Sequence, residues 1–97
     1  MPKRSKDWNE SLAEDLKDLE FAAEFVIAAI EEGANLQEAL GKVIRGYGVK
    51  EYSEISGLPS SNLLRAIDPD HNPTQSTLNQ ILEPLNLKLS VSPKKSA

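Results

Sequence analysis

The most concentrated group of side chains that could do chemistry is a short acidic loop. His71 is the only histidine in the chain, and Asp68 and Asp70 stand beside it. Imidazole and carboxylate groups can bind zinc, but one histidine and two aspartates in a flexible loop make a poor set of ligands. A solvent-exposed loop tip explains these residues better, and no metal site is predicted.

The sequence contains no other pattern that is typical of an enzyme. It has no cysteine, no glycine-rich phosphate-binding loop, and no serine–histidine–acid set beyond the lone histidine. The carboxylates between residues 19 and 32 are better explained as a solvated helix face than as general acids or bases. We therefore expect no catalytic activity and no cofactor.

A second group of side chains has the chemistry to contact nucleic acid. Hydroxyl groups and a guanidinium can hydrogen-bond to base edges and phosphates. Ser60, Ser61 and Arg65 offer these groups. Lys50 would contact the phosphate backbone, and Leu64 shares the outer face with Ser60, Ser61 and Arg65. The predicted DNA-binding residues are Lys50, Ser60, Ser61, Leu64 and Arg65.

The element that must position these side chains is the stretch 49–68. Its pattern predicts a helix over 49–56 and a second helix over 59–67, joined at Gly57 because glycine tolerates positive φ. Ser53 is small, as the closest approach of two helices requires. The apolar positions are Tyr52, Ile55, Leu58, Leu63, Ala66 and Ile67. This plan is that of a helix-turn-helix, although a plain helical hairpin would share part of the pattern.

Four further helices are predicted outside this stretch, each preceded by a side chain that can cap a helix. The caps are Asp7, Asp18, Asn35 and Thr74, and the helices are predicted over 8–16, 19–32, 36–45 and 75–85. The second helix carries an apolar stripe that includes Ile30. Pro84 should loosen the last turn of the fourth helix, and Asn86 can take the left-handed conformation after it.

A short strand is predicted over residues 87–91, Leu-Lys-Leu-Ser-Val, because apolar residues alternate there with period two. No second strand is evident, so a twofold-related copy or another protein would have to pair with it. The polar ends 1–7 and 92–97 are expected to be disordered tails around a single domain over 8–91.

Charge is distributed unevenly along the chain, whose formal net charge is −4. Residues 1–32 hold four bases and nine acids, a net charge of −5, whereas residues 33–97 hold seven bases and six acids, a net charge of +1. The acidity is thus concentrated away from the predicted helix-turn-helix, which leaves DNA binding open.

The sequence also predicts where the protein acts. No apolar run approaches the roughly 20 residues that span a bilayer, and no apolar segment follows the basic N-terminal residues as in a signal peptide. The absence of cysteine agrees with a reducing compartment. We expect a cytoplasmic protein that does not bind a membrane.

Four stretches of the sequence resemble a known family in order and spacing. They are LKD and FAAEF within 16–25, AAIEEG at 28–33, SGL at 56–58, and NPT, TL and LNLKLSV within 72–91. On these residues the chain resembles bacterial addiction-module antidote proteins. These are antitoxins of type II toxin–antitoxin pairs that carry an Xre/Cro-like, phage-repressor-type helix-turn-helix. The resemblance covers about residues 8–91.

The resemblance implies both a fold and a function. The implied fold is all-α, a lambda-repressor-like DNA-binding domain of five to six helices with a short C-terminal strand. The implied function is that of a homodimer that binds a palindromic operator in double-stranded DNA and represses its own operon. The implied protein partner is a small basic toxin, a RelE-like ribonuclease.

An alternative function remains open at this point. The acidic first third and the weakly charged second helix of the 49–68 stretch suit a protein-interaction module with little or no DNA binding. In that case the acidic helices would cover a basic surface of a toxin or another partner.

Overall fold

A computed structural model of the chain describes residue 12 and residues 14–90, and this part is built from helices. The helices are α1 (Leu19–Glu31), α2 (Leu36–Tyr47), α3 (Val49–Ser56), α4 (Ser60–Ala66) and α5 (Gln75–Leu82), followed by a 3-10 turn at Glu83–Leu85. Leu12, Glu14 and Asp15 are also helical. Residues 8–11 and 13 of the first predicted helix, and the predicted tails 1–7 and 92–97, lie outside the described residues. The predicted all-α class is confirmed for the part described.

Three of the described helices, α1, α2 and α5, begin at the side chains that the sequence predicts. Asp18 Oδ1 accepts hydrogen bonds from the Glu20 and Phe21 amides at 3.0 and 3.4 Å. Asn35 forms a capping box with the third residue of α2, and Thr74 Oγ1 accepts from the Thr77 amide at 3.1 Å. Each cap satisfies amides that have no partner within the helix. No described helix has the length and apolar character needed to cross a bilayer.

The predicted end of α2 is wrong by two residues, because Gly46 lies inside the helix. A Cβ atom at Gly46 would lie 2.7 Å from Leu16 Cδ1, so the glycine allows the fully buried Leu16 to pack against α2. Gly48, with φ of +111°, is the residue at which α2 ends. The Gly46–Tyr47–Gly48 segment therefore contains one packing glycine and one helix-ending glycine.

The core lies between α1, α2, α3 and α5, with α4 closing one side. Its apolar side chains are Leu16, Ala22, Val26, Ala39, Leu40, Val43, Ile44, Tyr52, Leu58, Leu63, Ala66, Ile67, Ile81, Leu82 and Leu85. Two predicted apolar positions differ from expectation, since Ile30 and Ile55 remain exposed. In α3 the inward face is taken by Tyr52 and Ser56, which are one helical turn apart, and Ile55 is turned outward beside them.

Tyr52 ties α3 to the end of α5. Its fully buried side chain donates a hydrogen bond of 2.6 Å from the phenol hydroxyl to the Ile81 carbonyl. Pro84 has no amide hydrogen, and the α-helix changes there into the 3-10 turn, as the predicted loosening requires. Asn86 follows in the left-handed region with φ of +60°, which confirms the prediction for that residue.

The predicted C-terminal strand is wrong for residues 87–90, and Val91 lies outside the described residues. A strand needs a second strand to accept its hydrogen bonds, and the described part of the chain contains none. Instead the Leu89 amide donates to Asn79 Oδ1 at 2.7 Å. Leu87 and Leu89 pack against the helical core while Lys88 is exposed, so the period-two alternation reflects one covered side of an extended segment.

Replacing Tyr52 by Phe tests the hydrogen bond between the Tyr52 hydroxyl and the Ile81 carbonyl. The substitution removes the hydroxyl and leaves the Ile81 carbonyl without its donor in a buried position. We expect the free energy of unfolding to fall by roughly 1–3 kcal/mol, measured by urea denaturation followed by circular dichroism.

Tyr47→Phe is the matched control, because Tyr47 is only half-buried and packs edge-on at 5.5 Å between ring centroids against Tyr52. Burial, with a smaller effect from Tyr47, raises the pKa of Tyr52 above its ordinary value of 10.0. Tyr52 therefore stabilises the folded state below pH 10, and this contribution is lost as the pH rises further. Tyr52→Phe should not show this loss of stability at alkaline pH. Equal free energies of unfolding for Tyr52→Phe and Tyr47→Phe would contradict the role assigned to the Tyr52 hydroxyl.

Candidate nucleic-acid interface

The predicted DNA-binding residues lie in the α3–α4 hairpin, which comprises residues 49–66. Gly57 has φ of +79° and lets the chain reverse after α3, which confirms its predicted position at the turn. Leu58 then turns inward and is buried, also as predicted. The two helices match the predicted ranges to within one residue, with Pro59 and Ile67 flanking α4.

Two serines hold the turn of the hairpin closed. Ser53 Oγ donates to the Leu58 carbonyl at 2.5 Å, and Ser56 Oγ accepts from the Leu58 amide at 3.3 Å. Gln80 of α5 donates from Nε2 to the Ser56 carbonyl at 3.1 Å. The sequence predicts a small residue at position 53 for close packing, and the structure adds this hydrogen bond. The turn is thus fixed on both sides by side chains.

The far end of α4 is held by a glutamine of α2. Gln37 Nε2 lies 2.8 Å from the Ala66 carbonyl and 3.1 Å from the Asp68 carbonyl, with the His71 carbonyl at 3.2 Å. A side-chain amide has two hydrogens, so these three acceptors share them. Carbonyls at the end of a helix have no partner within the helix, and Gln37 supplies one. Sequence patterns missed Gln37 because its contacts join residues about thirty positions apart.

The structure places the five predicted DNA-binding residues at or near the surface of the hairpin. Lys50 is exposed at the start of α3, and Ser61, Leu64 and Arg65 are exposed along α4. Ser60 is half-buried at the first position of α4. Leu64 has 46% of its surface exposed. These positions leave the outer face of α4 open to a ligand.

A shallow cleft beside Arg65 extends this surface to residues that the sequence patterns missed. The cleft has a volume of about 270 Å³ and combines guanidinium, amide and hydroxyl groups. Its polar lining comes from Asn62, Arg65, His71, Asn72, Thr74 and Thr77. The polar groups come from α4, the loop after it and the start of α5, so only the fold brings them together.

His71 lies at an exposed loop tip, as the sequence predicts. Its Nδ1 atom is 3.3 Å from Asp68 Oδ2, and both side chains are well exposed. The described residues contain no group of three histidine, aspartate or glutamate side chains arranged to hold a metal ion.

Replacing Gln37 by Ala tests how α4 is held. The carbonyls of Ala66 and Asp68 lose their donor, so the free energy of unfolding should fall by roughly 1–2 kcal/mol. Amide hydrogen exchange at the end of α4 should also become faster. Gln75→Ala, at an exposed position of α5, is the control. A similar loss of stability in both variants would show that the Gln37 amide does not hold α4.

The comparisons with known proteins bear on the whole described domain. Residues 8–93 match the family model described as "Probable addiction module antidote protein", which leaves out only seven residues at one end and four at the other. No curated protein and no solved structure matches the chain. The matched range includes α1 to α5 and the extended segment after them. The chain therefore belongs to the family of probable addiction module antidote proteins.

Proposed function

We propose that this chain is the antitoxin of a type II toxin–antitoxin module and that it also binds double-stranded DNA to repress its own operon. The antidote role and a toxin partner follow from the family. The DNA-binding part depends on one observation, the exposed outer face of α4 in a hairpin whose turn and far end are both held by hydrogen bonds. A helix held in this way can enter a groove without reordering.

The side chains on α4 suit the major groove. An arginine can bind guanine through two hydrogen bonds, a serine hydroxyl can bind several base edges, and an apolar side chain can contact the methyl group of thymine. Arg65, Ser61 and Leu64 are all exposed on α4. They would make these three kinds of contact in that order. Lys50 and Ser60 would contact phosphates at the entry to the groove. The contacts are few because α4 has only seven residues.

A homodimer on a palindromic operator accounts for binding by so short a helix. Two copies of α4 would enter successive major grooves about 34 Å apart. The second contact then becomes intramolecular, which raises the overall affinity without further contacts on either half-site. The near-neutral charge of residues 33–97 makes this gain necessary, because few phosphates are neutralised by one copy.

The toxin in this proposal is a small, basic, RelE-like ribonuclease encoded in the same operon. The sequence resemblance supports this class of toxin, and the acidic first third of the chain suits a basic partner. The proposed function needs neither catalysis nor a cofactor, since both activities are binding. It is carried out in the cytoplasm, where the operon and the toxin are found.

Replacing Arg65 by Ala tests the DNA contact. The variant loses the one guanidinium on α4, so operator affinity should fall by roughly 1–3 kcal/mol, measured by electrophoretic shift on the upstream DNA at low salt. Arg45→Ala is the matched control, because Arg45 is an exposed arginine in the last turn of a different helix, α2. An unchanged shift for Arg65→Ala would reject the α4 interface and favour the protein-interaction module without DNA binding.

A growth assay tests the antitoxin role separately. Expression of the protein encoded by the adjacent reading frame should arrest a bacterial host, and co-expression of this chain should restore growth by sequestering the toxin. Arg65→Ala should still restore growth, because Arg65 lies in the DNA surface. Leu40→Asp should not, since it introduces a charge into a fully buried site and unfolds the domain. Failure of the wild-type chain to restore growth would reject the toxin partner.

A further inference from the structure

Helix α1 has a largely apolar composition, although it lies at the surface of the domain. Ten of its thirteen residues are apolar and the other three are glutamates. Only Ala22 and Val26 are fully buried, where α1 packs on α2 and on the 3-10 turn. Wide apolar surfaces of a helix are normally covered. The exposed apolar side chains of α1 are therefore unusual for a free surface.

Large apolar side chains are exposed along this outer side. Phe21, Ile27 and Ile30 have 36%, 45% and 43% of their surface exposed, and only two other large apolar residues in the described part of the chain are as open. A step of 100° per residue puts Ile27 and Ile30 on one flank of the outer face and Phe21 on the other. The apolar area is thus divided into two strips on a single helix.

Carboxylates fill the space between the two apolar strips. The same helical step places Glu20, Glu24 and Glu31 along the middle of the outer face, and all three are exposed. Glu32 adds a fourth carboxylate directly after the helix, and no base occurs between residues 18 and 41. Within the described residues none of these carboxylates forms an ion pair, since the pair found there joins His71 and Asp68.

The negative charge of this face indicates what kind of partner it can bind. A second copy of the chain would bring two rows of glutamates together, and like charges at an interface oppose association. A partner with lysine or arginine beside apolar side chains would match both the carboxylate row and its flanking strips. The interface would then have the usual arrangement of buried apolar contacts with charged groups around them.

We propose that the outer face of α1 binds the toxin, and that the toxin meets it with a surface that combines basic and apolar side chains. This inference rests on the proposed antitoxin function, from which the toxin partner comes. The face is separate from the DNA surface, because α1 packs on α2 and the 3-10 turn whereas α4 packs on α2, α3 and α5. Toxin and DNA would therefore contact different helices of the chain.

Titration calorimetry with the purified protein of the adjacent reading frame tests the proposal. Glu24→Lys/Glu31→Lys and Ile27→Ala/Ile30→Ala should each weaken binding by at least about tenfold. The wild-type affinity should also fall as salt is added, because the contact is partly electrostatic. Glu54→Lys and Ile55→Ala are matched controls, since both residues are exposed on α3, and they should bind within about twofold of wild type.

The possible results separate this proposal from the antitoxin function. If the wild-type chain binds and all variants bind equally well, the α1 interface is rejected while the antitoxin role stands. If the wild-type chain neither binds nor restores growth, the toxin partner itself is rejected. Circular dichroism checks that every variant is folded.

Two other outcomes would assign the face to a different occupant and overturn the proposal. Loss of a dimer in Ile27→Ala/Ile30→Ala, with toxin affinity unchanged, would show that a second copy covers α1. A lower unfolding temperature in Glu24→Lys/Glu31→Lys, with toxin affinity unchanged, would assign it to the basic residues of segment 1–7 of the same chain. Light scattering and thermal unfolding provide these measurements.

Discussion

The arrangement of the α3–α4 hairpin depends on the hydrogen bond between the Tyr52 hydroxyl and the Ile81 carbonyl. Both groups are buried, so breaking this bond would leave polar groups without a partner that it now supplies. The Gln80 bond to the Ser56 carbonyl acts beside it, and both bonds join α5 to α3. Apolar packing alone is non-directional, whereas these bonds fix the angle at which the hairpin is presented. The outer face of α4 is therefore oriented by the C-terminal part of the domain.

Local interactions account for the part of the fold that the sequence predicts well. The caps at Asp18, Asn35 and Thr74 act on amides two or three residues away, so residue type and spacing suffice to identify them. Gly57 is similar, because the need for positive φ depends on the residue itself. The exposed positions on α4 also follow from helical periodicity. Their DNA-binding role stays a prediction, because periodicity locates a face and does not identify its ligand.

Contacts between distant residues explain what the sequence does not predict. Gly46 would serve equally well as a helix end, and only its proximity to Leu16 makes it a packing residue. Period-two alternation in residues 87–90 is equally typical of a strand and of an extended segment with one covered side, and the bond from Leu89 to Asn79 decides between them. The roles of Gln37 and Gln80 likewise depend on partners more than twenty residues away.

The position of Gln37 on α2 has a consequence for communication across the domain. Helix α2 provides the surface on which α1 packs, and its first turn carries the amide that holds the end of α4. The two outer helices are thus linked through one shared element. A ligand on α1 that displaces this turn changes affinity at α4, and reciprocity requires that a ligand on α4 change affinity at α1 by the same free energy. A ligand that leaves α2 in place binds independently of the other site.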